Sequence, residues 1–184
     1  QLGQVVVGGL AGGQAGGQRL QRQGHVPQFL EGRLMQQQWR QGASDWMNYG
    51  DPQGLGELRA AISSYLVQSR GVVCEPEQIL ILTSSQQGIL LATQLLIDAG
   101  DTVWVEDPGY PGARTAMESA GARIHPVPVD EEGLNPAGEH PSPRLIYCTP
   151  AHQDPLGVPM SLPRRMALLA EAERRGAWIL EDDY

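Results

Sequence analysis

Along residues 55–180, segments with the apolar pattern of a helix alternate with segments that have the pattern of a buried strand. This alternation predicts an α/β fold. The longer stretches carry apolar residues at helical spacing, and the shorter ones are continuous apolar runs of strand length. The predicted helices are 55–71, 84–100, 110–121 and 161–176, and the predicted strands are 78–82, 102–107, 123–129, 144–150 and 177–180. Strands that alternate with helices indicate a mostly parallel sheet with helices on both faces, in three α/β/α layers.

The apolar positions of the predicted helices indicate which side chains face the core. In the first helix, which Gly71 closes, they form a stripe made of Leu55, Leu58, Ile62, Tyr65 and Leu66. In the last helix, which Ser161 caps, the apolar residues are Leu162, Met166, Leu169 and Ala170. The helix at 84–100 is apolar almost all round and is therefore expected to be buried.

Residues 1–44 differ from the rest of the chain because they are rich in glycine and glutamine. Glycine at this density opposes both helix and strand through the backbone entropy lost on ordering. The segment also lacks the helical periodicity that a helix-turn-helix domain needs. We therefore expect residues 1–40 to be a disordered, low-complexity leader and residues 41–184 to be the folded part.

The charges and cysteines exclude several classes of protein. The net charge is −8, and all thirteen cations are arginine, so the chain contains no lysine. An acidic body argues against a nucleic-acid surface in this segment, because phosphate binding needs clustered cations. Cys74, Cys148 and the four histidines show no metal-ligand spacing, and both thiols are expected to be reduced, with Cys148 in the core. No apolar run reaches the ~20 residues of a membrane span, and the start lacks a basic signal-peptide segment, so a cytoplasmic protein is expected.

Polar clusters follow four of the predicted strands, at the sheet edge where ligands of α/β proteins bind. They are TSSQQ (83–87), EDPGY (106–110), TPAHQDPLG (149–157) and EDDY (181–184). Each has a simple explanation as a helix cap, a packed aromatic ring or a solvated turn. Together they offer a helix N-terminus for an anion, an aromatic shelf for a flat ring and a carboxylate for a protonated ring nitrogen. Pyridoxal phosphate has these three features.

Four motifs in the same order resemble a known family. YGDPQGLGELR (49–59) is similar to the entry motif of fold-type I aminotransferases. Three further segments resemble, more narrowly, the aminotransferase-like domain of MocR-type regulators, a branch of the GntR family. These segments are VWVEDPGYPGAR (103–114), TPAHQDPLGVPMS (149–161) and WILEDDY (178–184). The resemblance covers about residues 39–184 and implies that residues 41–184 are the N-terminal part of the large domain of a pyridoxal-phosphate-binding transferase.

The resemblance also implies a role for individual residues. Ser84, Ser85 and Gln86 match the cofactor-phosphate segment, and Tyr110 matches the aromatic residue that stacks on the pyridine ring. Asp182 matches the acid that pairs with the ring nitrogen, while Tyr184 and Asp154 match positions near the phenolic oxygen of the cofactor. Tyr49 matches the tyrosine that reaches the phosphate in the other subunit of a homodimer. Aminotransferases carry asparagine where this chain carries Asp154.

Three hypotheses about function follow from these residues. The chain is a fragment of an aminotransferase, or the part of a MocR-type regulator that senses an amino-acid or amine effector, or a truncated product without activity of its own. Without lysine it cannot hold the cofactor covalently, so no catalytic residue is assigned and binding is non-covalent at best. Because further strands follow in the family, we expect the strand at 177–180 to lie at an uncovered edge of the sheet.

Overall fold

The structure of the chain, a computed structural model, describes the backbone of residues 4–8 and residues 32–37, 39–40 and 49–183. The chain divides into two compact units, one made of residues 1–11 and 83–184 and the other of residues 12–82. The helices are α1 (Gly56–Arg70), α2 (Ser85–Leu96), α3 (Pro111–Ser119) and α4 (Leu162–Arg175), with a short 3₁₀ helix at Pro76–Gln78. Residues 32–37 and 39–40 are also helical.

The larger unit is built on a six-stranded sheet. Its strands are β1 (Gln4–Gly8), β2 (Thr102–Asp107), β3 (Arg123–Asp130), β4 (Gly133–Leu134), β5 (Leu145–Cys148) and β6 (Trp178–Asp183), in the spatial order β1-β6-β5-β2-β3-β4. All neighbouring pairs are parallel except β3 with the short β4. The predicted mostly parallel α/β sheet is confirmed.

Two apolar clusters cover the two faces of this sheet. On one face, helices α2 and α3 pack through Ile89, Ala116 and Met117 onto alternate residues of the central strands. On the other face, α4 packs through Leu168 and Ala172. Burying these side chains supplies most of the stabilisation, at about 25 cal/mol for each Å² of apolar surface removed from water. The predicted three-layer arrangement is therefore correct.

Strand β6 is an interior strand, which corrects the expectation that it lies at an uncovered edge. Its backbone pairs with β5 on one side and with β1 on the other, where Gln4 lies opposite Ile179 and Val7 opposite Asp182. Two pieces of the segment predicted to be a disordered leader are thus regular: residues 4–8 form β1, and residues 32–37 and 39–40 are helical. The remainder of residues 1–40 lies outside the described part.

The strand predicted at 78–82 and part of the apolar stripe predicted on α4 were wrong. Residues 79–82 form no strand, and Ile81 instead donates its N–H to the carbonyl of Gln53 at 2.9 Å. In α4, Leu162 and Met166 are 71% and 60% exposed, while Leu168 and Ala172 point into the core. Alternative apolar stripes occur on α4, and the sheet beneath it determines which one is buried.

The smaller unit is organised by Arg59, a buried cation on α1. Its guanidinium donates to the carbonyls of Gly54 and Pro76, and it forms a 2.9 Å ion pair with Asp51. On the same face, Ser63 donates to the carbonyl of Cys74 at 2.6 Å. By contrast, three members of the predicted apolar stripe are exposed, namely Leu55, Leu58 and Tyr65. In the described residues, α1 thus buries polar side chains and leaves much of its apolar stripe outside.

Candidate functional site

The N-terminus of α2 presents free backbone donors at the carboxyl end of the sheet. Ser84 is the N-cap, and its hydroxyl oxygen accepts the N–H of Gln87 at 3.2 Å. The N–H groups of Ser85 and Gln86 have no acceptor within a helix at these positions. Together with the positive end of the helix dipole, they form a site suited to an anion such as a phosphate group.

Gln86 links this helix start to the loop that carries Tyr110. Its Nε2 donates to the carbonyl of Gly112 at 2.7 Å, while its buried Oε1 has no hydrogen-bond partner in the described part of the chain. The side-chain N–H that the sequence suggested for an anion is therefore used on the protein itself. Any role of Gln86 toward a phosphate falls to its backbone N–H.

Tyr110 immediately precedes α3 and is partly exposed. Its ring lies against Gly112 so closely that a Cβ at Gly112 would come within 2.5 Å of the ring. Glycine at this position therefore leaves room for the Tyr110 ring. Tyr110 also borders a cavity of about 240 Å³ whose walls include Arg114, Val105 and Tyr147. Tyr110 thus lies at the rim of an open cavity, and its role as an aromatic shelf stays a prediction.

Asp182 is the most unusual group of the site, because it is a carboxylate only 4% exposed at the end of β6. Its Oδ2 accepts the hydroxyl of Tyr147 at 2.8 Å, while its Oδ1 has no partner among the described residues. Burial raises the pKa of Asp182, the hydrogen bond from Tyr147 lowers it, and the neighbouring Asp183 charge raises it again. A buried oxygen without a donor is costly, so Oδ1 marks a position where an N–H donor would be stabilised.

A second buried carboxylate, Glu106, joins the loops after β2 and β5. It accepts the hydroxyl of Thr149 at 2.6 Å, the N–H of Thr149 at 3.2 Å and the amide of Gln153 at 3.3 Å. Gln153 also donates to the carbonyls of Pro108 and Asp154. Burial raises the pKa of Glu106, although these hydrogen bonds oppose the effect. The cluster fixes the loop that leads to Tyr110 against the loop of Asp154.

The structure thus brings most of the predicted residues of the larger unit to one edge. Ser84 caps α2, which begins with Ser85 and Gln86. Tyr110 and Asp154 follow the strands β2 and β5, and Asp182 lies at the end of the neighbouring strand β6. Two predicted residues are not part of this geometry. Tyr49 is fully exposed and belongs to the other unit. Tyr184 lies outside the described residues.

Comparison with known proteins identifies the family. Residues 17–184 match the family model for aminotransferase class I and II. The chain belongs to this aminotransferase family. It is 43% identical over 153 residues to the "Probable rhizopine catabolism regulatory protein MocR" of Rhizobium meliloti. That match covers 83% of this chain and 31% of the relative. It is 35% identical over 142 residues to the 2-aminoadipate transaminase of Thermus thermophilus. That match covers 74% of this chain and 34% of the enzyme.

A solved structure supports the same aminotransferase fold. The α-aminoadipate aminotransferase LysN of Thermus thermophilus, complexed with N-(5′-phosphopyridoxyl)-L-leucine, superposes with a TM-score of 0.76 at 31% identity. The match covers 85% of this chain and 40% of that enzyme. The chain spans about a third of the length of the curated relatives that it matches. It is an aminotransferase-like domain segment, and the resemblance to MocR-type regulators is confirmed.

The residues of this aminotransferase segment fit the phosphopyridoxyl group in three respects. The start of α2 offers N–H donors, Tyr110 offers a ring face, and Asp182 offers a buried acceptor oxygen without a donor. Three buried polar residues of this region were not predicted from the sequence, namely Glu106, Gln153 and Tyr147. Their signal was available, because Glu106 and Tyr147 stand inside the buried runs VWVED and LIYC, where a polar side chain needs an internal partner.

The remaining structural findings concern metals, membranes and thiols. Across residues 32–37, 39–40 and 49–183, no helix is long and apolar enough to cross a membrane. The same residues contain no cluster of three metal-ligating side chains. Cys74 and Cys148 are both free, and Cys148 is buried as predicted. Burial raises the pKa of the Cys148 thiol, which keeps it protonated and unreactive.

Proposed function

We propose that the chain binds pyridoxal 5′-phosphate non-covalently as the cofactor-binding segment of an aminotransferase-like protein. The observation that carries this proposal is the buried Oδ1 of Asp182, which has no donor among the described residues. An ionised carboxylate with an unpaired buried oxygen is unfavourable, so its presence at the edge of the sheet argues for a ligand that supplies an N–H. A protonated pyridine nitrogen is such a donor.

The other predicted residues would surround the remaining parts of the cofactor. The N–H groups of Ser85 and Gln86 would hold the phosphate, with Ser84 keeping the helix start in place through its cap. Tyr110 would stack on the ring, and Asp154 and Tyr184 would lie near the phenolic oxygen. When bound, the cofactor supplies an electron-withdrawing ring for amino-acid chemistry, and the charge of Asp182 would keep its nitrogen protonated.

The longer protein is proposed to be a regulator or an enzyme of this family. The 43% identity to a MocR-type protein favours a cytoplasmic regulator that senses an amino acid or amine through its bound cofactor. The second candidate is an aminotransferase, favoured by the match to 2-aminoadipate transaminase. In either case we propose a homodimer in which Tyr49 reaches the phosphate of the other subunit. The acidic segment described here would bind no nucleic acid. A truncated product without its own activity is the third possibility.

Equilibrium dialysis of the purified chain tests cofactor binding directly. We expect measurable binding of pyridoxal phosphate and weaker binding of pyridoxal, because pyridoxal lacks the phosphate that the start of α2 would hold. Asp182→Asn should weaken the binding of pyridoxal phosphate by roughly tenfold or more, the value of a lost charge-assisted hydrogen bond. The matched control is Asp98→Asn at an exposed position, which should leave the affinity unchanged. Equal affinity of the wild type and Asp182→Asn for pyridoxal phosphate would refute the proposal.

Covalent attachment provides a separate test. Because the chain contains no lysine, borohydride treatment of a mixture with pyridoxal phosphate should label no residue beyond the N-terminal amine. Mass mapping of peptides reads out the position of any label. A reduced adduct on an internal residue would contradict the non-covalent mode.

A further inference from the structure

We infer that Tyr147 is a positioning residue that fixes the carboxylate of Asp182 and keeps its Oδ1 available for a ring nitrogen. This inference rests on the proposed function and extends it to a residue outside the matched cofactor contacts. Tyr147 would act through Asp182, because its own hydroxyl is already committed to that carboxylate.

The geometry places the two side chains in a fixed relationship. Tyr147 lies on β5 directly opposite Leu180 of β6, and Asp182 follows Leu180 by two residues on the same face of the sheet. Both side chains are buried, with exposures of 1% and 4%. The 2.8 Å hydrogen bond holds Oδ2 and thereby sets the rotation of the whole carboxylate. Oδ1 is then the oxygen that remains for a ligand.

The direction of the hydrogen bond follows from the charges around the pair. Burial raises the pKa of Tyr147, and the charges of Asp182 and Glu106 raise it further, so the phenol stays protonated and donates its hydrogen bond. Burial also raises the pKa of Asp182, and the Tyr147 hydrogen bond is the interaction that lowers it. Tyr147 therefore favours the ionised form of Asp182, which is the form that accepts a hydrogen bond from a pyridinium N–H.

A purely structural role is the alternative, because the ring of Tyr147 also fills the core against Val105, Leu145 and Leu180. The two roles predict different results when only the hydroxyl is removed. Loss of packing would weaken every ligand of the site to a similar extent. Loss of the hold on Asp182 would weaken only ligands that have a ring nitrogen.

The test uses Tyr147→Phe with two ligands, pyridoxal phosphate and its 1-deaza analogue, in which a carbon replaces the ring nitrogen. We expect the affinity for pyridoxal phosphate to fall on the order of tenfold, while the affinity for the analogue stays the same. Tyr65→Phe, at an exposed tyrosine of α1, is the matched control and should change neither affinity. Equal losses for both ligands, or no loss for either, would overturn the inference.

The same experiment separates this inference from the proposed function. If the wild-type chain does not prefer pyridoxal phosphate over the deaza analogue, the contact of Asp182 with a ring nitrogen fails, and the inference fails with it. If the wild type prefers pyridoxal phosphate and Tyr147→Phe keeps that preference, only the role of Tyr147 fails.

A double variant keeps the inference testable if Tyr147→Phe does not fold, since that change leaves a buried carboxylate without a donor. Combining it with Asp182→Asn removes the buried charge. Because Tyr147 acts through the charge of Asp182, the double variant should bind pyridoxal phosphate as weakly as Asp182→Asn alone. A further loss of similar size in the double variant would show an independent role and overturn the inference.

Discussion

The guanidinium of Arg164 on α4 lies 2.8 Å from the carboxylate of Asp130 at the end of β3. The same side chain, 11% exposed, donates to the carbonyls of Gly133 and Leu134 in β4. One cation thus ties α4 to the β3–β4 hairpin at the edge of the sheet. The hydrogen bond from Arg164 also lowers the pKa of Asp130, which shows that the charge pair stabilises the ionised acid.

Removing this cation should destabilise the larger unit. Arg164→Met removes the hydrogen bonds to two carbonyls and the ion pair with Asp130, whose carboxylate keeps the donors of Glu132 and Asn135. Hydrogen bonds to charged groups contribute about 1.5–3 kcal/mol. We therefore expect the free energy of unfolding in urea to fall by about 2 kcal/mol. Arg174→Met is the matched control, because Arg174 is mostly exposed and its partner Glu171 keeps Arg175. Equal effects of the two substitutions would contradict the assigned role of Arg164.

Gly54 should be sensitive to the smallest substitution. Its φ is +96°, and a Cβ there would lie 2.5 Å from the Cβ of Ile81. Gly54→Ala combines backbone strain with a clash, and we expect it to cost on the order of 1–3 kcal/mol. Gly71→Ala provides the control, because Gly71 also has a positive φ of +67° but an open surrounding. Amide hydrogen exchange in α1 reads out the difference, and equal protection in the two variants would argue against the clash.

Protonation of His125 should make stability depend on pH. Its Nε2 lies 3.0 Å from Nδ1 of His140, and the pair packs beside Trp104, whose ring is covered by the guanidinium of Arg175. Burial, and then the charge of His140, lower the pKa of His125 below its ordinary 6.5. The unfolded chain therefore binds the proton more readily. The contribution of His125 is complete above pH 6.5 and is lost as the pH falls below it.

Thermal melts between pH 7.5 and 5 measure this contribution. In His125→Gln the fall of Tm below pH 6.5 should be shallower than in the wild type. His152→Gln, at an exposed histidine, should keep the wild-type slope. A wild-type slope in His125→Gln would exclude the histidine pair as its source.

Asp182→Asn should stabilise the ligand-free chain at neutral pH while it weakens cofactor binding. Burial raises the pKa of Asp182, so its ionised form is disfavoured in the folded state relative to the unfolded one. A neutral amide relieves this cost, and Tyr147 can still donate to the amide oxygen. The gain in Tm should be full at pH 7.5 and should shrink as the pH falls toward the pKa, where wild-type Asp182 becomes protonated. An unchanged or lower Tm at pH 7.5 would show that the buried charge of Asp182 does not destabilise the ligand-free chain.

Much of the fold could be predicted because the period of the apolar residues reports directly on helices and sheet strands. The pattern failed where tertiary contacts decide. Residues 79–82 are as apolar as a strand, but they lie beside the loop of Gln53. They make one backbone hydrogen bond to that loop, from Ile81 to Gln53, and do not pair with a strand. Likewise, the glycine-rich composition near the N-terminus gave no sign that Gln4–Gly8 pairs with β6.

For the candidate site, the sequence indicated which residues lie at the sheet edge better than it indicated their hydrogen-bond partners. Asp182 was chosen from its place after a predicted strand, whereas the structure places it within β6 as a buried carboxylate. The donors of Gln86 were assigned to an anion, yet Nε2 lies on the carbonyl of Gly112. Glu106 and Gln153 went unnoticed because their bonds join loops that are 47 residues apart in the chain. No local pattern records a contact of this kind.

Helix α1 is held by polar contacts, and this has a thermal consequence. Exposing apolar surface raises the heat capacity of a protein, whereas exposing polar surface lowers it. Opening of α1 uncovers Arg59 and Ser63, while opening of α2 uncovers Ile89 and Ala92. The enthalpy of local opening should therefore vary little with temperature for α1 and steeply for α2. On cooling, α2 loses part of its hydrophobic stabilisation, and α1 keeps nearly all of its own.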